Sequence, residues 1–475
     1  MNKKITSESI WREYERGMDF KEGIGLYETV KNNENFFIGK QWEGVRANGL
    51  PTPVFNFLKR VVLFTVASLT STATKVTASS MGKAPKGCAD AVNHELEMLF
   101  DSNRLGALTR EFLRNSAVEG DGCMYTYWDN ERGVRTEIIE NSRVYFGNVN
   151  DREVQRQPYI IISCREQVEQ IRARAENPHI EFKPEPDGTG IIPEKLEDGE
   201  KATVLLRMWK DAESGTVWCC ETVRGGIIRK PWDTGLRLYP VTWLPWDYAR
   251  DCYHGQAMIT GLIPNKIFIN KLFAMSMISL MTMAYPKIVY DRSRVARWDN
   301  RVGAAIPVSG GDVNGVAKII DPAHISPQIA MFIDKAISYT QTFLGATPAA
   351  LGDVRPDNTS AIIALQKASS IPNELVRHNL YRSIEELAEI YIDFMRAYYG
   401  ERESDGAVFD FSRLACTELS LKLDVGASAY WSEMAGINTL DNLLVRGMIS
   451  FEDYLERVPD GYIPGKRELL EKIRQ

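Results

Sequence analysis

AMITGLIPNKIFINKLFAMSMISLMTM, residues 257–283, is an almost continuous apolar run carrying five methionines, at 258, 275, 277, 281 and 283. Its 27 residues span about 40 Å as a helix at 1.5 Å per residue, with Pro264 placed to bend it. The apolar positions do not collect on one stripe. A helix of that kind cannot stand bare on a monomer, so it is either core or covered by neighbouring subunits. Methionine suits the second case, because its unbranched, polarizable chain adapts to sliding or imperfectly matched surfaces. Met275, Met277, Leu280 and Met281 are therefore the candidate subunit-contact residues.

Moving outward, strand-like pieces at 286–290, 304–308 and 316–320 follow, and then a second helix, 326–345. The loop 346–358 holds Pro348, Pro356 and Gly352, with Asp353, Arg355 and Asp357 alternating in sign. A third helix, 359–399, starts at the capping run Asn358-Thr359-Ser360 and breaks at Pro372. A strand at 409–423 and short helices in 430–475 close the chain. Towards the N-terminus, the first forty residues read as helical, capped by Ser7 or Ser9. A buried helix, 55–73, and two more, 88–100 and 107–119, come next. Strand composition marks 123–128, 134–139, 156–163, 203–211, 217–223 and 238–245. The Pro- and Glu-rich stretch 177–201 reads as a surface loop. Strands and helices do not alternate as βαβ units, so the class is α+β.

Composition narrows the function. The net charge is −6 over 475 residues, and no Lys/Arg cluster of the kind that grips nucleic acid is present. Cys88, Cys123, Cys164, Cys219, Cys220, Cys252 and Cys416 lack metal-type spacing and read as small core residues in a reducing compartment. The start of the chain is too polar for a signal peptide. The uncharged segments 61–74 and 272–286 fall short of the roughly 20 apolar residues of a membrane span, which predicts no membrane.

Catalytic motifs are missing. Gly465-Lys466-Arg467 lacks the hydroxyl and the spacing of a phosphate-cradling loop. His94, His179, His254, His324 and His378 form no HExxH, and no Gly-x-Ser-x-Gly elbow exists. No catalytic residue, cofactor or metal is expected, and the chain is not read as an enzyme.

Several segments recur in the order seen in one family. They are Asn35-Phe36-Phe37-Ile38-Gly39-Lys40-Gln41-Trp42, Ala117-Val118-Glu119-Gly120-Asp121-Gly122-Cys123-Met124-Tyr125 and Gln157-Pro158-Tyr159-Ile160-Ile161-Ile162 with Arg165. Next come Pro245-Trp246, Tyr253-His254-Gly255-Gln256, Leu262-Ile263-Pro264-Asn265-Lys266 and Ile269-Asn270-Lys271. The most specific is Leu351-Gly352 followed by Asn358-Thr359-Ser360-Ala361-Ile362-Ile363-Ala364-Leu365-Gln366-Lys367. Together these resemble the portal family of tailed bacteriophages and prophages; the 177–201 stretch matches nothing in that pattern.

The resemblance implies a homo-oligomeric ring, commonly a dodecamer, at one capsid vertex of the virion, assembled in the host bacterial cytoplasm. It implies a wing over 1–256, a stem helix over 257–283, a clip over 284–325 and a second stem helix over 326–345. A channel loop would occupy 346–358, a kinked wing helix and closing strand 359–428, and a crown 429–475. The channel-loop residues would be Pro348, Gly352, Asp353, Arg355, Asp357 and Asn358, and partner docking would fall to Arg292, Arg294 and Arg297 of the clip. The implied partners are the terminase large subunit, a head-completion or adaptor protein, the major capsid and scaffolding proteins, and double-stranded DNA passing through non-specifically.

Charge agrees with a conduit, since twelve copies at −6 carry about −72, a field that repels phosphates. Between 286 and 325, six basic residues face four aspartates, a local +2 that fits an acidic partner, ion pairs between subunits, or solubility alone. Two other classes stay open at this stage. One is a different structural virion component, a minor head or connector protein. The other is a phage-encoded hydrolase or nuclease whose site assembles from scattered carboxylates.

Overall fold

The structure is a computed structural model. It describes residues 5–46, 49, 51–70, 74–81, 87–177, 179–180, 182, 201–285, 287–299, 301, 305–311, 313–320, 327–343, 373–404, 407–416, 418–425, 430–458 and 469–470.

The N-terminal helical stretch is two helices, α1 (Ser7–Gly23) and α2 (Leu26–Ile38), because Gly25 adopts φ +68° between them. The cap of α1 is Thr6 rather than Ser7 or Ser9. Its hydroxyl accepts from the Ser9 amide while the Ser9 hydroxyl accepts from the Thr6 amide, a reciprocal box. α3 (Phe57–Leu69) is shorter than the expected 55–73 and buries Leu58, Val61, Val62, Val66 and Leu69. α4 (Cys88–Ser102) and α5 (Leu105–Glu119) lie where periodicity predicts them.

The strands divide among antiparallel sheets. β1 (Thr74–Met81) pairs with β14 (Glu418–Val425). β2 (Asp121–Asp129) is the centre of a three-stranded sheet between β3 (Gly133–Ile138) and β9 (Val241–Pro245). A five-stranded meander runs through β4 (Val144–Phe146), β5 (Ile160–Gln167), β6 (Lys201–Lys210), β7 (Val217–Val223) and β8 (Gly226–Asp233). The short helix α6 (Val168–Arg174) leaves the end of β5. β1, β4 and β8 were not foreseen. β8 carries Lys230 and Pro231 and lies on the outer edge of its sheet, where a missing amide donor is tolerated.

α7 (Ile263–Ala284), the β10 (Ile288–Tyr290)–β11 (Ala317–Ile319) ladder and α8 (Pro327–Phe343) form an arm. The strand expected at 304–308 is not one among its described residues, 305–308, where Pro307 removes a ladder donor. α9 (Glu374–Tyr398) returns to the body and buries Val376, Leu380, Ile384, Leu387, Tyr391 and Phe394 at helical spacing against the largest core cluster. Two backbone amides, of Arg237 and Leu238, donate to Asp393 Oδ2 at 2.6 and 2.9 Å and fasten this helix to the segment entering β9.

The predicted strand 409–423 is instead β13 (Ala407–Asp410), a 3-10 turn (Phe411–Cys416) and β14. The break comes where Asp410 Oδ1 accepts from the Ser412 amide and hydroxyl. β12 (Glu401–Ser404) completes a hairpin with β13. The chain closes with α10 (Tyr430–Val445) and α11 (Phe451–Arg457). The expected break at Pro372, the channel loop 346–358 and most of the 177–201 stretch lie outside the described residues. The architecture is mixed α+β, as the sequence indicates.

Candidate functional site

The arm is built from its root outward. Pro264 does not bend α7; it sits in the first turn, where its missing amide is not needed. The helix is therefore 22 residues rather than 27, about 33 Å at the standard rise. Its root is seated in the body. Leu262 and Ile263 pack on Phe36 of α2 and Leu58 of α3, and Phe273 stacks on Phe55 at 4.1 Å. Asn33 donates through Nδ2 to Val118 O at 2.8 Å and to Thr260 Oγ1 at 2.9 Å, tying the end of α5 to the start of the arm.

Lys266 and Asn270, four residues apart on one face, are both buried. Asn270 donates to Gln41, and the Lys266 ammonium lies 4.4 Å over the Phe57 ring. Among the described residues no hydrogen-bond acceptor meets Lys266 Nζ, and burial lowers its pKa to about 8.

Beyond Ala274 the helix leaves the body. Met275 is 61% exposed, Met277 40%, Leu280 59% and Met281 58%, so none of the four is core. The single-chain core reading of this segment is thereby removed. α8 packs alongside α7 and adds Met331, Phe332 and Tyr339 to the exposed apolar surface. Monomeric soluble proteins rarely leave so continuous a patch in water.

Counted with the preceding 3-10 turn, the helical run Thr260–Ala284 is long and apolar enough to cross a membrane by length and composition. The sequence reading stops the apolar segment at 272 because extending it backwards meets Lys271, Asn270, Lys266 and Asn265, and the helix runs on through all four. Its first turns, however, carry Lys266 and Asn270 into the body rather than towards lipid.

At the far end, β10 and β11 pair Ile288 with Ile319 and Tyr290 with Ala317. Of Arg292, Arg294 and Arg297, the first and last are exposed, whereas Arg294 is half-buried and donates through Nε to Ser309 O at 3.4 Å. Pro348, Gly352, Asp353, Arg355, Asp357 and Asn358 lie outside the described residues. Of the cysteines, Cys88, Cys123, Cys219 and Cys220 are buried and unpaired. No cluster of potential metal ligands occurs among the described residues.

The arm begins and ends inside the stretch 159–404, which matches the family model of the phage P22-like portal protein, more than half of the chain. The chain belongs to that portal family. The match includes both arm helices, the β10–β11 ladder, the 177–201 stretch that the sequence reading could not place, and α9. Portal proteins are structural, ring-forming components of phage capsids and not enzymes, in keeping with the missing catalytic motifs. No curated protein matches the chain.

The sequence reading missed one feature of this portal, a buried polar joint at the foot of the arm. There the Glu119-Gly120-Asp121 turn meets Tyr253-His254-Gly255, with His254 Nδ1 2.7 Å from Asp121 Oδ2. Both segments had been singled out, but nothing in either indicates that they touch.

Proposed function

We propose that the chain assembles into a closed ring, commonly of twelve copies, at one capsid vertex, and that α7 and α8 form the stem of that ring. The observation that carries this reading is the bare apolar surface of Met275, Met277, Leu280 and Met281 on an arm whose root is firmly seated. Neighbouring copies would cover such a surface on both flanks, because cyclic symmetry presents the same stem to each neighbour in turn. The seating of Lys266 and Asn270 in the body favours protein over lipid as the covering partner.

In this reading the ring conducts double-stranded DNA during packaging and ejection without gripping it, which the negative charge favours. The exposed Arg292 and Arg297 at the tip of the arm would dock the terminase large subunit and later a head-completion protein. Residues 346–358 would face the bore, and α10 and α11 would belong to the crown. Major capsid and scaffolding proteins would meet the wing.

The test is mass measurement with negative-stain imaging of the purified chain. A ring with a central hole is the expected outcome. A chain that stays monomeric under all assembly conditions would overturn the reading.

A further inference from the structure

The foot of α7 is fastened by two backbones that approach more closely than side chains would allow. Gly120 adopts φ +105°, and a Cβ there would lie 2.7 Å from Gly255 O. A Cβ on Gly255 would lie 2.7 Å from Asp247 O and 2.9 Å from Gly120 O. Across this contact the Trp246 amide donates to Gly120 O at 2.9 Å, and the Ile259 amide to Ala117 O at 3.4 Å. Asp121, fully buried, uses both oxygens at the crossing: Oδ1 accepts from the Gly255 amide at 2.7 Å, and Oδ2 faces His254 Nδ1 at 2.7 Å. Asn141 Nδ2 also donates to Oδ2, at 3.4 Å.

The His254 ring is packed by aromatic groups, with Tyr253 at 4.1 Å, Trp243 at 5.6 Å and Phe20 of α1 at 6.5 Å. Because Asp121 Oδ2 is an acceptor, the proton of the neutral ring is assigned to Nδ1. That leaves Nε2 as a bare lone pair, and among the described residues it has no partner.

We propose that the Asp121–His254 pair is a proton-sensitive latch that holds the foot of α7 against the wing. With the ring neutral, its single N–H is satisfied by Asp121 and the aromatic packing closes over Nε2. A second proton places an N–H donor and a charge where no acceptor lies, and a buried unsatisfied donor is costly. The charged ring must then reach water, which requires the 252–256 turn to part from Phe20 and so frees Gly255 from Gly120.

The surroundings favour the neutral ring. Burial lowers the pKa of His254 from its ordinary value, and Asp121 only partly offsets this. The other groups near the crossing are Lys21 on α1, Cys123 on β2, Cys252 and Tyr253 on the same turn as His254, and Glu119 at the end of α5. The Lys21 charge works against a second cation at His254. The inference does not depend on the ring reading, since every contact in it lies within one chain.

The test is hydrogen exchange of the Trp246, Gly255 and Ile259 amides in the full chain, at about pH 7.5 and about pH 5, corrected for intrinsic chemical rates. His254→Asn keeps a side-chain amide to donate to Asp121 but cannot gain a proton. Wild type is expected to lose about tenfold protection at the lower pH, with His254→Asn unchanged within about twofold. Unchanged protection in wild type, or an equal loss in His254→Asn, would overturn the latch. If His254→Asn does not fold, the wild type is followed by NMR with labelled histidine. A His254 ring that gains its proton near the ordinary value of about 6.5, with amide protection intact, rejects the proposal. A ring that stays neutral until protection is lost supports it.

Discussion

Lys21 is fully buried, and its Nζ lies 3.8 Å above the ring of Tyr145. The same nitrogen donates to Asn141 O and Val144 O, each at 2.7 Å. One lysine on α1 thereby joins the N-terminal helix to the turn entering the five-stranded sheet. Burial lowers its pKa well below the ordinary lysine range, so its hydrogen bonds and its packed stem matter more here than its charge.

Lys21→Ala is expected to destabilise the chain by about 3 kcal/mol, because truncation empties the space of a buried four-carbon stem. Lys21→Met refills that space and should cost only about 1 kcal/mol. Each carbonyl keeps a second donor in the methionine variant, the Val144 amide for Asn141 O and the Tyr253 hydroxyl, at 3.4 Å, for Val144 O. Urea unfolding of the two variants checks this. An alanine variant as stable as wild type would show that α1 is not anchored by this residue.

Glu119 provides a pH test. Burial raises its carboxyl to about 8, against Arg114, whose guanidinium lies 3.5 Å away and is shared with Glu34. The folded state keeps this proton up to about 8, whereas the unfolded chain releases it near the ordinary value of about 4.3. Between those values the folded state binds more protons, so the contribution of Glu119 to stability is full below the unfolded value and falls as pH rises towards 8. Glu119→Gln should flatten the decline in urea midpoint across that window and leave the variant the more stable at its upper end. Parallel curves for variant and wild type would refute the assignment.

The long helices and most strands were legible in the sequence because each depends on local patterning. The stripe Val376, Leu380, Ile384 and Leu387 marks α9, and runs of aromatic and β-branched residues mark β6 and β7. The pairing of β1 with β14 was not, because Thr74 meets Val425 across almost the whole chain and neither strand encodes its partner. Lys21 and Lys266 carried the wrong signal, since lysine on a helix ordinarily reads as a solvated face. The Asp121–His254 joint was hidden for the same reason as the β1–β14 pair: its members lie 133 positions apart. The exposed methionines of α7 were legible because an all-round apolar pattern is itself anomalous.

The 346–358 loop separates two proposed roles. Arg355 lies there between Asp353 and Asp357, outside the described residues. Arg355→Glu should leave ring assembly intact, because the change adds no burden to the packed stem, and should lower the DNA packaged or retained per head through repulsion of phosphates. Deleting 349–354 should do so more severely. Assembly and packaging measured in one mutant series give the answer. Normal packaging in both variants would put the loop off the axis, and failed assembly would make it a subunit contact.

Leu280 and Ile269 lie on the same helix, the first 59% exposed and the second 0%. That difference separates a stem that contacts neighbours from one that merely folds. In the lone chain, Leu280→Asp places a carboxylate in water and should change stability by less than about 0.5 kcal/mol. In a ring the same carboxylate is buried against a neighbour without a partner, at a cost of several kcal/mol per contact repeated around the circle. Leu280→Asp should therefore yield folded monomer with the wild-type urea midpoint and no rings by mass measurement. Ile269→Asp introduces its charge inside the chain itself, so the urea midpoint should fall whether or not neighbours are present. Rings formed in full by Leu280→Asp would move the subunit contact off this face of α7. A fall in monomer stability matching that of Ile269→Asp would mean that the distal helix is covered within its own chain.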